Sequence, residues 1–578
     1  MHRCLDMCTV LAAVLSTMPA QVYDDVQKAW AWEQQVRAEC RAAREALPLD
    51  PADVARSIER LRALLDYFAD PRTIAMTGRN SFRYQPEDIC IDLALAHARL
   101  VMPQEAAAAL QDLAARLDAR GADVRTWVGA VDRFTAGANS TVRADAAVAA
   151  AIRRLAAHDP YARFRARSLT ARDGTLTEDQ RIAGLSLFWS EVKYNFANFD
   201  LVPDLDWDAA YLAALPEVRR AAEPFAYYRL LQRLCARLHD AHTNVLLPPD
   251  LQQRFLARPP LRTLLAEGRV FVARCGSPQL RALGLEQGQE IVQVDGEPVA
   301  AYAERVHGPY VCASTPQDRT TRLLVHDLLA GPRDEPVALT IEQPGKARRT
   351  VQVARQGHDE DERAPDYALS MLPHGVALVT LRTFGDDRVA KAFASDLERV
   401  LAADALVLDL RENGGGSSNV GYDVLARLTD RPFRGSRWRT ADYRPAYRAW
   451  NRESPPHEGE PQSIEPAPGP HFLKPVAVLI SARTFSAAED FAIAFAAMRR
   501  GPLVGEATGG STGQPLFFQL PGGGSARVCT KRDQGPDGQE FVGVGVQPTV
   551  PSAPTVADVL AGRDTVLECA LAELAKAR

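Results

Sequence analysis

The stretch ALVLDLRENGGG, residues 405–416, is a short apolar run without helical period that ends in three glycines. Such a run, bounded by a turn signal, reads as a strand buried on both faces, the kind found in parallel sheets. Working outward, GVALVTLRTF precedes it with the helical pattern DRVAKAFASDLERVLAA between them, and VGYDVLARL, PVAVLISA and a further alanine-rich helical pattern follow. Strands alternating with helices argue for a layered α/β domain around a central sheet. Gly414, Gly415 and Gly416 leave backbone N–H groups bare at the carboxyl end of a strand, where α/β proteins build their sites. Neither Gly-Lys-Ser/Thr nor Gly-x-Gly-x-x-Gly occurs here, so the turn is not read as a phosphate cradle.

PVAVLISA delivers a second segment, TFSAAED (484–490), to a comparable edge. Ser486 has two readings. Ser-x-x-Glu ahead of an apolar run is a capping box, with Glu489 as its partner. A serine where a strand passes into a helix also sits beside unpaired N–H groups and the positive end of the helix dipole, which suits a developing oxyanion. An oxyanion hole would then come from the N–H of Gly415 or Gly414 together with that of Ala487. A serine attacks slowly without a base. No lysine lies between Lys474 and Lys531, and Ser-x-x-Lys is absent at Ser486. The best histidine is His242 in LHDAHTNVLLPP, where a helical pattern gives way to an apolar stretch; a structural histidine is the alternative. His239 and His242 lack a third ligand motif and HExxH is absent, so no metal is expected.

The rest of the chain bounds these readings. At 578 residues it exceeds a single core and divides into several domains. A formal net charge of -5 gives no reason to expect a nucleic-acid partner. Residues 1–20 join a basic start to a short apolar run of signal-peptide length, although Asp6 and Met18 depart from the usual pattern. Export to the periplasm or the extracellular space is therefore expected, with a cytoplasmic location as the alternative, and no later run is long enough to span a membrane. Beyond Cys4 and Cys8 of that leader, the seven scattered cysteines suit neither a zinc knuckle nor a small disulfide framework. Residues 21–165 read as helical hairpins without chemistry, and 166–256 as a helical segment with a loop at VPDLDWD (202–208). Residues 257–356 turn to short alternating strands with Asp-Gly and Pro-Gly turns, and 357–578 hold the α/β domain, interrupted by an exposed proline-rich loop at 453–471.

LRENGGG, TFSAAED, GEATGG and GVGVQP, in this order, resemble the catalytic domain of the C-terminal processing (tail-specific) serine peptidases. LSLFWSEVKYNFANFDLVPDLDWDAAY and LHDAHTNVLLPP resemble the helical segment of that superfamily's tricorn-core branch, and GLEQGQEIVQVDGEPV its PDZ domain. The likeness covers roughly 180–555. It implies a crotonase-like layered α/β catalytic domain, a PDZ-like unit, and a serine endopeptidase acting on protein or peptide chains without a cofactor. It further implies Ser486 as nucleophile. Tail-specific members use a lysine from a Gly-Lys-Gly stretch, but GEATGGSTGQ has none; tricorn-like members use a histidine in an Asp-x-His-Thr context, which DAHT supplies as His242. They orient it with a glutamate ahead of the last glycine motif, where this chain offers Glu540, with a solvated hairpin carboxylate as the alternative. Asp409 and Arg411 share a strand face and read as structural, Glu489 as a cap and Glu506 as a wall of the site. Relatives of this fold include a non-proteolytic retinoid carrier, so a binding protein and a small-molecule esterase or amidase stand as rival readings; oligomeric state is left open.

Overall fold

The computed structural model describes residues 86–120, 140–157, 176–356 and 364–577, with Phe134 and isolated positions between 54 and 65. The expected leader at 1–20 lies outside the described residues. The chain forms two compact units divided between Ala166 and Arg167. In the first, helices Pro86–Arg99, Pro103–Arg120 and Ala146–Ala157 close on a core that includes Ile91, Leu110, Leu113, Val148 and Leu155. Alanines at the contacts, Ala94 and Ala107 among them, leave room for close helix approach.

The second unit begins with α1 (Glu178–Asn195), α2 (Trp207–Arg220) and α3 (Pro224–Ala236). The sequence reading left Trp207 and Asp208 in a loop. Instead Asp206 caps α2, accepting from the N–H of Ala209 at 2.9 Å, and Trp207 is buried at the first helical position against Phe188. A short strand, β1 (Asn244–Leu246), leads into an antiparallel sheet of β2 (Leu261–Ala266), β3 (Arg269–Cys275), β4 (Glu290–Val294), β5 (Val337–Glu342) and β6 (Arg349–Val353), in that order across the sheet. Its inward residues, Val270, Val272, Ile291, Leu339 and Ile341, form a core with Tyr302 and Leu328.

The central sheet holds β7 (Tyr367–Leu372), β8 (Val376–Leu381), β9 (Ala405–Asp409), β11 (Val476–Ile480), β12 (Leu503–Gly505) and β16 (Val550–Pro551); all neighbours are parallel except β7, the antiparallel edge. Alternation sends Val379, Leu406, Leu408, Val478 and Ile480 to one face, under α4 (Ser418–Leu425) and α5 (Ala487–Ala497). Ala405, Val407, Ala477 and Leu479 meet Val566, Ala570 and Leu574 of α6 (Thr565–Lys576) on the other. Both faces are covered, which is why these strands read as unbroken apolar runs.

The insertion expected as a bare loop at 453–471 is partly paired. His457–Gly459 runs antiparallel to β10 (Arg437–Thr440), which also pairs with β15 (Lys531–Gln534), and Ser463–Ile464 pairs with Phe433–Arg434. Backbone pairing and the contact of Trp438 with His457 hold a segment that its prolines alone marked as an exposed loop.

Candidate active site

Two strand ends carry the site, and their loops are laced together. After β9 the chain makes the turn Asn413–Gly416; after β11 it runs Ser481–Ser486 into α5. Thr484 Oγ1 donates to the Leu410 carbonyl at 2.8 Å, Ser481 Oγ to the Arg411 carbonyl at 2.7 Å, and the Phe485 N–H to the Asn413 carbonyl at 3.0 Å. Glycine is required where these loops touch. A Cβ on Gly416 would lie 2.2 Å from the Phe384 carbonyl, and one on Gly415, at φ +93°, would lie 2.6 Å from Ser486 Cβ.

Ser486 itself adopts φ 58°, ψ -126°, a strained conformation for a residue with a Cβ. Such backbone persists only where surrounding bonds over-determine it. Its N–H donates to Glu489 Oε2 at 3.1 Å, and its carbonyl accepts from the N–H groups of Glu489 and Asp490 at 2.7 and 3.2 Å. The turn presents Oγ to His242, whose Nε2 is 3.0 Å away.

His242 comes from 244 positions earlier in the chain, and three contacts bring it there. The Asp240 carboxylate accepts from the His242 N–H at 3.0 Å and from Asn198 Nδ2 at 3.0 Å, fixing the turn after α3. Thr243 Oγ1 accepts from the Cys529 N–H at 3.0 Å. β1 then pairs antiparallel with β14 (Ser525–Cys529), itself paired with β13 (Pro515–Gln519). The imidazole stacks on Phe485, with ring centres 4.7 Å apart at 5°. It is fully buried, and burial, with the nearby cations Arg527, Arg322 and Lys531, pushes its pKa down to about 3. It is thus neutral at any ordinary pH, the state in which one nitrogen can accept a proton.

Nδ1 of His242 lies 2.8 Å from Ser511 Oγ. Ser511 belongs to the GGST stretch that has no lysine, and sequence reasoning missed it. Glu489 holds that stretch. Its carboxylate accepts from Thr508 Oγ1 at 2.5 Å, from the Gly510 N–H at 2.7 Å and from the Ser511 N–H at 3.0 Å, besides the Ser486 N–H. Glu489 is therefore more than a cap: one buried carboxylate ties the turn of Ser486 to the loop that meets His242. Burial raises its pKa to about 8, against the pull of these four donors.

Glu540 is a correction. It does not reach His242: its carboxylate takes Arg532 Nε at 3.0 Å and Gln534 Nε2 at 2.6 Å. The Arg532 side chain is only 7% exposed, and a buried guanidinium claims the nearest acidic groups, here Glu540 and Asp200. The glycine turn also differs in detail. The Gly415 N–H already donates to Asn413 Oδ1 at 2.9 Å, whereas the N–H groups of Gly414 and Ala487 make no hydrogen bond among the described residues. Arg411 pairs with both Asp409 and Asp564 at 2.6 and 2.7 Å, tying β9 to α6 below the site. Glu506 lines a separate pocket with Gln547 and Ser552, away from Ser486.

Beside Ser486 lies a polar pocket of about 230 Å³, bounded by Gly416, Ser418, Ala487, Gln514 and Lys531 with Asp490 at its base. Asp490 accepts from Ser418 Oγ at 2.6 Å and Ser436 Oγ at 2.8 Å. Burial, then the nearby Asp533, raises its pKa to about 6. Among the described residues no cluster of three or more metal-ligating side chains occurs, and no helix is long and apolar enough to cross a membrane.

An alcohol on a strained strand-to-helix turn, a neutral imidazole 3.0 Å away and two unengaged N–H groups beside them form a set suited to acyl transfer. Residues 375–552 match the model of peptidase family S41. The chain is 28% identical over 371 residues to the chloroplastic C-terminal processing peptidase of Tetradesmus obliquus, a match covering 60% of this chain and 71% of the relative. Mature CPAF complexed with lactacystin superposes with a TM-score of 0.53 at 17% identity, over 69% of this chain and 97% of that one. A mutant of CPAF does so at 0.55 and 16%, over 66% and 94%. The chain therefore carries a peptidase family S41 domain and is a serine peptidase homologous to the C-terminal processing peptidases.

Proposed function

We propose that the protein is an exported serine endopeptidase that cleaves protein substrates through Ser486 and His242. The observation that supports this above all others is the 3.0 Å contact between Ser486 Oγ and His242 Nε2. Ser486 Oγ attacks the scissile carbonyl carbon while its proton passes to Nε2; the carbonyl oxygen becomes an oxyanion beside the N–H groups of Ala487 and Gly414. Collapse breaks the C–N bond, and the imidazolium returns the proton to the leaving amine. Water then repeats the sequence on the acyl-enzyme. Gly415 joins the oxyanion hole only if Asn413 Oδ1 releases its N–H. A carrier has no use for this pairing of alcohol and base. The 257–356 unit, in this reading a PDZ-like domain, and the paired insertion at 453–471 restrict which chains reach the serine. The test is labelling by a fluorophosphonate probe together with hydrolysis of an unfolded protein: both are expected from the native chain, and absence of both would refute the reading.

The base needs its tautomer fixed. For Nε2 to accept from Ser486, Nδ1 must carry the hydrogen, and Ser511 Oγ is then its acceptor. Ser511 acts as a positioning residue where other such enzymes use a carboxylate. Ser511→Ala is expected to lower kcat about 10- to 100-fold with KM nearly unchanged, since tautomer and ring orientation matter most in the transition state. Ser511→Thr should recover most of the loss, a rescue that a mere packing role would not give.

The pH profile carries a further expectation. An ordinary imidazole with a pKa near 6.5 would be almost fully protonated at pH 5. His242, held near 3, keeps its base form there, so kcat/KM at pH 5 should stay within about twofold of its value at pH 7. An acid limb centred near 6.5 that persists in Asp490→Asn protein, which removes the one nearby carboxyl raised to about 6, would show that the imidazole is not desolvated as described.

A further inference from the structure

Two buried thiols that the proposed chemistry does not use lie in contact. Cys235 is in the last turn of α3, and Cys312 is in the sheet-rich unit, just ahead of the Thr315 that caps a short helix. Their sulfurs are 3.6 Å apart although the residues stand 77 positions apart in the chain. Cys235 is fully buried, and Cys312 is only 8% exposed. So wide a separation offers no spacing signal, which is why both read as scattered thiols in the sequence.

The surroundings explain the approach. α3 packs through Tyr227, Leu231 and Leu234 into a core that also holds Cys312, Phe518 and Val528. The Ala241 N–H donates to Ser314 Oγ at 3.0 Å, and Thr315 Oγ1 donates to the Gly509 carbonyl at 2.9 Å. The segment 312–315 is thus wedged between the turn that carries His242 and the loop that presents Ser511. Cys235 Sγ donates to the Thr243 carbonyl at 3.3 Å, one residue beyond His242. Among the described residues no third ligating side chain joins the two sulfurs, so the pair does not suit a metal. The two thiols are also unequal. The Cys235 thiol, then the Arg322 guanidinium, holds the pKa of Cys312 below its ordinary value against burial, whereas burial pushes that of Cys235 up. This is the asymmetry of a reactive dithiol, with one sulfur available as thiolate and a second beside it to complete the exchange.

We infer that Cys235 and Cys312 form an oxidisable pair that closes to a disulfide and staples the turn of His242 to the sheet-rich unit. The oxidant is a small disulfide or the exposed disulfide of an oxidising protein. Cys312 is the entry thiol, since it alone of the two lines a cavity, one of about 350 Å³. Its thiolate attacks one sulfur of the oxidant, expels the other as a thiolate and leaves a mixed disulfide. Cys235, losing its proton to that thiolate, then attacks Cys312 Sγ and expels the second. Two thiols are oxidised to one disulfide, and the oxidant's disulfide is reduced to two thiols that carry away both protons. The sulfurs close from 3.6 Å to the covalent length of about 2 Å. Compartments outside the cytoplasm keep such pairs oxidised, so the link belongs to the exported chain. It does not depend on peptide hydrolysis.

Full-length native protein is reduced, held in equimolar glutathione and glutathione disulfide, quenched in acid, denatured and alkylated. Tryptic fragments 234–237 and 306–319 are expected as one linked species, two hydrogens lighter than their sum, in more than half of the molecules, and as separate fragments after reduction. The oxidised protein should melt about 5 °C above the reduced one, because the link restricts the unfolded chain. Cys235→Ser protein should retain glutathione on Cys312, and Cys312→Ser protein none on Cys235; the reverse would overturn the order of attack. Both cysteines recovered as alkylated thiols, or glutathione left on Cys312 of the native chain with Cys235 alkylated, would overturn the pair. That readout uses the native chain, so it holds whether or not either variant folds. A linked protein with an unmoved melting temperature would overturn the staple.

Discussion

Ser486→Ala is expected to lower kcat for peptide hydrolysis by a factor on the order of 10⁴ to 10⁶, while the melting temperature moves by no more than about 2 °C. The first number follows from what Oγ contributes. Without it no covalent intermediate forms, and His242 can at best direct a water from a position built for an alcohol. The second follows from what Oγ does not contribute. The strained turn is held by backbone groups of Ser486, through Glu489 and the Ser511 carbonyl, and these survive truncation of the side chain. Alanine at a positive φ bears the same strain as serine, so the backbone cost is unchanged. Fluorophosphonate labelling should vanish with activity. His242→Ala should be nearly as inactive, and the double variant no worse than either, since the two act as one unit. Residual activity of the Ser486→Ala protein within tenfold of native would place the nucleophile elsewhere.

Much of this site was legible in the chain because its signals are local. Buried strands ending in glycine, and an apolar strand running into an alanine-rich helix, are each written in a dozen consecutive residues, whereas the positive φ of Ser486 is not. His242 was found by elimination and by the motif around it, although what carries it to Ser486, the pairing of β1 with β14 and the Thr243 bond to Cys529, is written in no single segment. Ser511 was missed for the same reason. A serine in a glycine-rich loop has no pattern of its own, and only the fold shows its hydroxyl meeting Nδ1. Glu540 stood near the expected place in the sequence, but proximity along the chain ignored Arg532, a buried cation with a prior claim on it. The thiols of Cys235 and Cys312 stand 77 positions apart, too far for any spacing rule to join them.

Glu489→Ala is expected to cost roughly 4 kcal/mol or more of folding stability, the largest such loss from a single polar side chain at this site. Four donors converge on that carboxylate, three backbone N–H groups and the Thr508 hydroxyl. Thr508 Oγ1 is itself an acceptor for the Val546 N–H, so it cannot easily turn its hydrogen elsewhere. Each buried donor left unpaired costs on the order of 1–3 kcal/mol, and a methyl group replaces none of them. Chemical denaturation would measure the loss; a change below about 1 kcal/mol would mean that water or a rearranged loop satisfies these groups. The pH dependence has a definite sign. The native carboxyl, with its pKa raised to about 8 by burial, takes up a proton, at the expense of one of the four donated bonds, over the range from its usual 4.5 upward in which the unfolded chain has lost it. Native protein therefore binds more protons across that window, and the contribution of Glu489 to stability declines as pH rises from 4.5 through 8. His242 acts in the opposite sense and lower down. Its pKa falls to about 3, so the unfolded chain binds more protons between 3 and 6.5, and stability is lost as pH drops through that range. Glu489→Gln should remove the first slope and leave the second, a contrast that a purely steric role for the side chain could not produce.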